Sequence, residues 1–600
     1  MPSLRSLLCL PPSSSHQPAE LDGGPLPNEP SVFLHIERGL RQSPHGLAVI
    51  STPQPPEHLL PLVGKPSHDE ACLAWTYTQL HRAALRLASG MLAHGAQHNT
   101  TLLMLIPNGV EYTVLLWTAV ILRVTIVPAE LSLLEDTKHG ELQEMIRLVK
   151  PAVIVVQGAR DAEVVDVALR SLSSNNDDQN TNETDILGIT LTETRTTKTQ
   201  STWKSLLNLG TASPALSATE AAALLSAARA DDPSRTHSIL FTSGTSGKPK
   251  GCPLRVSGMT HVMQSQSWLV NPENSARALQ QAHNARGIAP VQTLQTWREG
   301  GAVVMTGDGF NASDLVDAIE SYRVTFIVLT PAMVHAVSAE LGRRSCSGKM
   351  EIHVDSVKTV QIGGDAVTRD TLDKCSKVLF PRARVVVNHG MTEVGGGGAF
   401  WWPFTSARKT PFYGEMSPVG AVAAGAVVRI WDAEERAVMK RGGLGELHVC
   451  CGSTIPEYLE GVSGESFYEG SDGRRWFDTG DVGMMDRQGV VFLLGRRRDM
   501  IQTGGGVVMP APLESCLEKF TSSQACVVNV GGPFAVLERF TGKVEARIKR
   551  HVVRTLGKHY ALRGVVFLQQ LGLSKFPVNA THKIVRAEVE EAVLRHLSDS

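Results

Sequence analysis

Amphipathic helices alternate along this chain with short strands that are apolar throughout, and no other feature narrows the available folds as much. Residues 141–150 place Leu142, Met145, Ile146 and Val149 on one helical face, and 151–156 follow as a wholly apolar strand. The pattern returns as a helix at 315–322 before a strand at 324–329, with further strands expected at 357–362 and 383–387. A strand apolar on both sides needs cover on both faces, so sheets sandwiched between helices follow. From 418 to 449, short alternating segments punctuated by glycine predict a small barrel-like β region. The last hundred residues read as a separate unit, with strands at 526–530 and 564–568 and helices at 544–556 and 587–597. The fold class is therefore α/β: a large N-terminal domain of layered sheets with a small β-barrel region, joined near Arg498 to a small C-terminal α+β domain.

Residues 1–30, rich in Pro and Ser, read as a loose arm, and 171–202, rich in Ser, Asn, Asp and Thr, as a mobile surface insertion. A net charge of −1 with both signs interspersed offers no footprint for nucleic acid or an anionic membrane. The most apolar run, 112–122, lies between Glu111 and Arg123, is too short to span a bilayer and reads as a buried helix. Nine cysteines without a Cys-x-x-Cys pair suggest buried free thiols in a reducing compartment. The terminal residues Ser598, Asp599 and Ser600 are no peroxisomal address, which leaves the cytosol as the default.

At 238–251 an apolar strand runs into a loop of small hydroxyl residues, glycines and lysines. Gly244 and Gly247 let backbone N–H groups converge, Thr242, Ser243, Thr245 and Ser246 add hydroxyls, and Lys248 and Lys250 bring charge. A triphosphate fits such a loop, although a solvated turn has the same composition. Only Thr245 and Ser246 separate Gly244 from Gly247 and Lys248, and Pro249 follows, so the spacing is not that of a Walker P-loop.

The loop resembles the phosphate loop of the AMP-forming adenylate synthetases, the superfamily of acyl- and aryl-CoA ligases, peptide-synthetase adenylation domains and luciferase. Four further segments match in order. Val387-Asn-His-Gly-Met-Thr-Glu393 is similar to the family's Tyr-Gly-Met-Thr-Glu signature and Trp476-Phe-Asp-Thr-Gly-Asp481 to its Thr-Gly-Asp signature. Residues 495–510 resemble the hinge segment and 576–586 the segment of the catalytic lysine. The resemblance implies an AMP-binding domain at 31–497 with the ATP and acid sites, and a mobile domain at 498–600 carrying that lysine. It also implies ATP, Mg²⁺ and coenzyme A as reactants or cofactors, and a stand-alone acyl-CoA ligase as the nearest type.

Residue by residue, the resemblance assigns the β- and γ-phosphates to Thr242, Ser243, Gly244, Thr245, Ser246, Gly247 and Lys250. It gives the α-phosphate to Thr392, Mg²⁺ to Glu393, the ribose hydroxyls to Asp481 and a ribose or phosphate contact to Arg496. Gly363 and Gly364, with Asn388, His389 and Gly390, would receive adenine, though a Gly-Gly pair is equally a plain turn. Lys583 would bridge carboxylate and α-phosphate in the first step, and rotation at the hinge Arg498 would then bring Gly504 and Gly505 to the site for a thiol. His283 matches the acid-pocket wall, and Gly395 and Gly396 would leave room for the acyl group, although a surface glycine run is the alternative.

Three departures stand out. His389 takes the place of the adenine-stacking Tyr, His582 replaces a Gly before the lysine, and 514–583 is shorter than in the family. Three readings follow: a ligase making an acyl- or aryl-CoA, of secondary or lipid metabolism; an adenylating enzyme loading a carrier protein in trans; and a nucleotide-binding relative without transfer activity.

Overall fold

The structure, a computed structural model, describes residues 17–27, 29–65, 71–135, 139–174, 186–192, 203–242, 250–270, 276–346, 353–396, 400–402, 404, 410–459, 466–504, 506–539, 544–578 and 584–598. Two seven-stranded, mainly parallel sheets form the larger part. One runs in the order Lys250–Arg255, Thr236–Thr242, Thr125–Pro128, Thr101–Leu105, Val153–Val156, Leu187–Thr190, Lys204–Ser205. The other runs Arg384–Val387, Thr359–Ile362, Phe326–Leu329, Arg277–Gln280, Ala302–Met305, Leu47–Ser51, Leu73–Thr76. A third, antiparallel sheet of nine strands is centred on Ala426–Asp432, Leu444–Cys451, Arg475–Met485 and Val491–Arg496.

Helices fill the space between the parallel sheets because their sequences are apolar enough to be covered all round. Every residue of the helix Val110–Leu122 is buried, as its sequence predicts. Trp117 on that helix meets Trp297 of the helix Ile288–Arg298 at 5.0 Å between ring centres. Trp297 in turn donates its indole N–H to Ala48 O at 3.0 Å. A buried indole usually finds a partner for its N–H, and here that bond also fixes helix against sheet.

The predicted strands and helices lie within three residues of where the sequence placed them, for example His139–Val149, Val153–Val156, Ala312–Tyr322 and Glu545–Leu556. Two expectations are corrected. Residues 17–27 are no loose arm: Glu20–Asp22 pairs with Ala426–Asp432 at the edge of the third sheet, Ala19 is fully buried, and Asp22 takes a 2.8 Å ion pair from Arg474. Backbone pairing holds this segment where side-chain polarity gave no sign of it. The presumed insertion at 171–202 contains the strand Leu187–Thr190, parallel to Val153–Val156.

After Arg496 the chain forms the hairpin Ile501–Thr503 and Gly506–Val508, then the helix Pro510–Thr521 and a three-stranded sheet of Ala525–Asn529, Pro533–Leu537 and Gly564–Phe567. This part has its own apolar clusters, around Leu513, Val527 and Ile548 on one face and Val528, Val536 and Val593 on the other. Among the described residues no helix is long and apolar enough to cross a membrane.

Candidate active site

The site assembles at the carboxyl ends of neighbouring strands, the usual place for a ligand crevice in open parallel sheets. Thr359–Ile362 ends in Gly363 and Gly364, and the adjacent Arg384–Val387 ends in Asn388, His389 and Gly390. The two turns touch. Asn388 N–H donates to Ile362 O at 2.9 Å, and a Cβ on Gly363 would stand 2.3 Å from Asn388 O. Gly363 is thus required by backbone approach, and Gly364, at φ +81°, by conformation.

The next motif is joined to this turn by charge. His389 Nε2 lies 2.9 Å from Asp481 Oδ2, and Arg496 Nε lies 3.0 Å from Asp481 Oδ1. Arg496 also donates to Thr479 O at 2.7 Å. Asp481 is buried, so both partners are needed to keep its charge there. A carboxylate has about four acceptor positions, more than these two contacts use. The His389 ring stands edge-on to Phe400, at 5.9 Å and 74°.

Thr242 and Lys250 face each other across an antiparallel pair at the mouth of the predicted phosphate loop. Ser243, Gly244, Thr245, Ser246 and Gly247 lie outside the described residues, as do Lys583 and Gly505. Lys250 Nζ sits 4.9 Å from the centre of the Tyr458 ring, and the Tyr458 hydroxyl donates to Glu393 Oε1 at 2.8 Å. Ile455 N–H holds the Glu393 carbonyl at 2.9 Å. Thr392, on the same single turn of helix, packs its hydroxyl towards Gly287, where a Cβ would come within 3.1 Å.

The acid-pocket residues are arranged differently from the expectation. Gly395 and Gly396 do not open a space. A Cβ on Gly395 would meet Val262 Cγ2 at 2.4 Å, one on Gly396 would meet Gly287 O at 2.4 Å, and both residues have φ near +77°. The turn geometry and its packing require glycine there. His283 stands among charged groups: its nitrogens lie 3.9 Å from Glu130 and 3.8 Å from Asp308, and Arg286 pairs with Glu130 at 3.1 Å. Ala285 N–H donates to His283 Nδ1, which puts the ring proton on Nε2, towards Asp308.

At the predicted hinge three consecutive arginines behave differently. Arg496 is fixed to Asp481, and Arg497 bridges Glu446 and Asp478. Arg498 is largely exposed and contacts its neighbour Asp499 at 3.6 Å. Gly504, at the hairpin tip, has nothing within 4 Å of a Cβ position. Glu446, His448 and Asp478 bring their ligand-type atoms within 4.8 Å of one another, but the Arg497 guanidinium already serves both carboxylates. Arg429 donates to the Tyr468 oxygen at 2.7 Å, and the same oxygen lies against His448 Nδ1, so the imidazole is engaged as well. Burial pushes the Glu446 carboxyl up, and His448 and Arg497 together outweigh it and hold the group below its usual range. Neither Tyr458 nor Phe400 was singled out from the sequence. Both are separated from the motifs they touch, and no spacing rule points to them.

The Asp481 carboxylate held by His389 and Arg496, and the Lys250–Tyr458–Glu393 array, thus bring together residues of the sequence motifs. In keeping with that, residues 64–459 match the model of the AMP-binding enzyme family, and the chain belongs to that family. Within it, an acyl–CoA ligase of Pestalotiopsis microspora is 44% identical over 602 residues, covering 96% of this chain and 99% of that protein. A 4-coumarate–CoA ligase of Humulus lupulus is 25% identical over 362 residues, and the chain covers 62% of its length. Among solved structures, ATP-bound MatB from Rhodopseudomonas palustris superposes with a TM-score of 0.71 at 18% identity, over 94% of this chain and 98% of that one. O-succinylbenzoate coenzyme A synthetase from Bacillus subtilis, in complex with ATP and magnesium ion, gives 0.68 at 18%, over 93% and 99%. At such identities the likeness is one of fold.

Proposed function

We propose that this protein is an AMP-forming acid–thiol ligase. A carboxylate oxygen attacks the α-phosphorus of ATP and pyrophosphate leaves; the thiol sulfur of coenzyme A then attacks the acyl carbon of the adenylate, displacing AMP and giving up its proton. The observation that carries this reading is that the Asp481 carboxylate is held by His389 and Arg496, while Glu393, four residues beyond His389, ends the Lys250–Tyr458–Glu393 array. The near-full-length likeness to an acyl–CoA ligase supports coenzyme A as the acceptor.

In this reading Asp481 accepts the ribose hydroxyls, and the turns at Gly363, Gly364 and His389 receive the base. Thr392 donates to the α-phosphate, while Thr242, Lys250 and the residues between them hold the outer phosphates. Glu393 would hold Mg²⁺. Its carboxylate suits a hard cation and keeps acceptor capacity beyond the bond from Tyr458. The metal would supply positive charge to the triphosphate when bound. Lys583 is assigned to the first step, and Arg498 to the pivot between 31–497 and 498–600. The exposed Arg498, following two anchored arginines, supports a pivot at that residue. Free buried thiols, among them Cys72, Cys252, Cys375 and Cys526, suit a reducing compartment such as the cytosol.

The test is pyrophosphate release across a panel of aliphatic and aromatic carboxylic acids, with and without coenzyme A, followed by mass detection of the thioester. Acid-dependent release with a coenzyme A thioester is expected. Release without thioester would move the acceptor to another nucleophile, such as a carrier protein, and no acid-dependent release would overturn the reading. Lys583→Ala is expected to abolish adenylate formation while preserving transfer from preformed acyl-adenylate.

A further inference from the structure

Lys250 and Glu393 carry opposite charges at one site, and such groups collapse into an ion pair unless something stands between them. Tyr458 stands between them. Its hydroxyl donates to Glu393 Oε1 at 2.8 Å, while its ring face receives Lys250 Nζ at 4.9 Å. Both contacts draw on features that Tyr combines in one side chain, a hydrogen-bond donor at the tip and a negative π face along the ring.

The ring itself is held. It is buried, and it packs edge-on against Phe467 at 5.4 Å and 72°. Phe467 stacks on Phe477 at 4.7 Å, in the strand Arg475–Met485 that also carries Asp481. Gly251, next to Lys250, lets Leu459 come within 2.7 Å of a Cβ position, so the neighbour of Tyr458 lies directly on the strand Lys250–Arg255.

We propose that Tyr458 is a positioning residue for the metal–triphosphate complex, fixing the Glu393 carboxylate through its hydroxyl and keeping Lys250 off that carboxylate through its ring, so that both charges stay directed at the same polyphosphate. This rests on the reading of Glu393 as the metal residue. Two variants separate the two contributions: Tyr458→Phe removes the hydroxyl and keeps the spacer, and Tyr458→Leu removes both and lets Lys250 pair with Glu393.

Calorimetric titration of the full-length protein with Mg–ATP, and with ATP in the presence of a chelator, decides the matter, with Glu393→Gln as reference. Tyr458→Phe is expected to weaken Mg–ATP binding about fivefold while leaving metal-free ATP within about twofold of wild type, because one neutral-to-charged hydrogen bond is lost. Tyr458→Leu is expected to weaken both about tenfold. A purely structural Tyr458 would shift both forms of ATP equally in Tyr458→Phe, and that result overturns the proposal. Mg–ATP binding unchanged in Tyr458→Phe but weakened in Glu393→Gln also overturns it and leaves the metal reading standing. Wild-type Mg–ATP affinity in Glu393→Gln removes the metal reading, and the proposal with it. If Tyr458→Leu does not fold, the Tyr458→Phe comparison is sufficient.

Discussion

His389 and Asp481, 92 residues apart, meet at 2.9 Å and tie the strand end that would face adenine to the carboxylate that would face ribose. His389 can serve the nucleotide in two ways, presenting a ring face to the base and orienting Asp481 with its edge. A Tyr at this position has no ring nitrogen with which to do the second. Replacing His389 with Phe keeps an aromatic face and removes the hydrogen bond. The Michaelis constant for ATP is expected to rise roughly tenfold, about 1.4 kcal/mol, with that for the acid within about twofold. Steady-state kinetics with each substrate varied in turn checks this, and an unchanged ATP constant would show that Arg496 alone holds Asp481.

The pivot proposed at Arg498 gives a second prediction. Proline at 498 fixes φ near −65° and removes one N–H just beyond the last anchored arginine, so one of two domain orientations should become inaccessible. Arg498→Pro is expected to keep the adenylation half-reaction within a few-fold of wild type while coenzyme A-dependent turnover collapses. Normal thioester formation by this variant would place the pivot elsewhere.

Arg497 compensates Glu446, which is buried, together with Asp478. Removing the guanidinium leaves a buried carboxylate inside the third sheet without its arginine partner. Arg497→Ala is expected to cost about 2 kcal/mol of stability, less than for a wholly buried pair because Arg497 is itself half exposed. Denaturant midpoints compare the variant with wild type. Arg497→Lys should recover part of the loss, since it restores the charge without the fork that spans both acids.

A pH dependence follows from Glu518, on the helix Pro510–Thr521. Burial pushes its carboxyl up to about 7, with the charge of Glu514 adding to the effect, although Ala525 N–H donates to it. The folded state thus holds a proton that the unfolded state releases near 4.5, and stability should fall as pH rises from about 4.5 to 7 and level off above. The loss is about 3 kcal/mol at most, from a shift between those two values. Glu518→Gln should be more stable than wild type at pH 8 and flatten that slope. Melting temperatures of the two proteins from pH 5 to 8 test it, and parallel profiles would show that Glu518 ionises freely.

The sequence by itself determined the layered α/β architecture and the family motifs, because helical faces and apolar strands such as 151–156 are local patterns that each need cover. It also brought Thr392, Glu393 and Asp481 into consideration, since each sits in a short contiguous signature. Tertiary structure alone decided that Glu20–Asp22 completes a sheet, because a polar edge strand is held by backbone hydrogen bonds that leave no trace in side-chain pattern. It decided that Gly395 and Gly396 serve close packing against Val262 and Gly287 rather than an open pocket, a distinction set by what lies across from them. It alone placed Tyr458 between Lys250 and Glu393, and His389 against Asp481, for the same physical reason: contacts across 65 and 92 residues depend on how sheets and loops stack, which no local periodicity encodes.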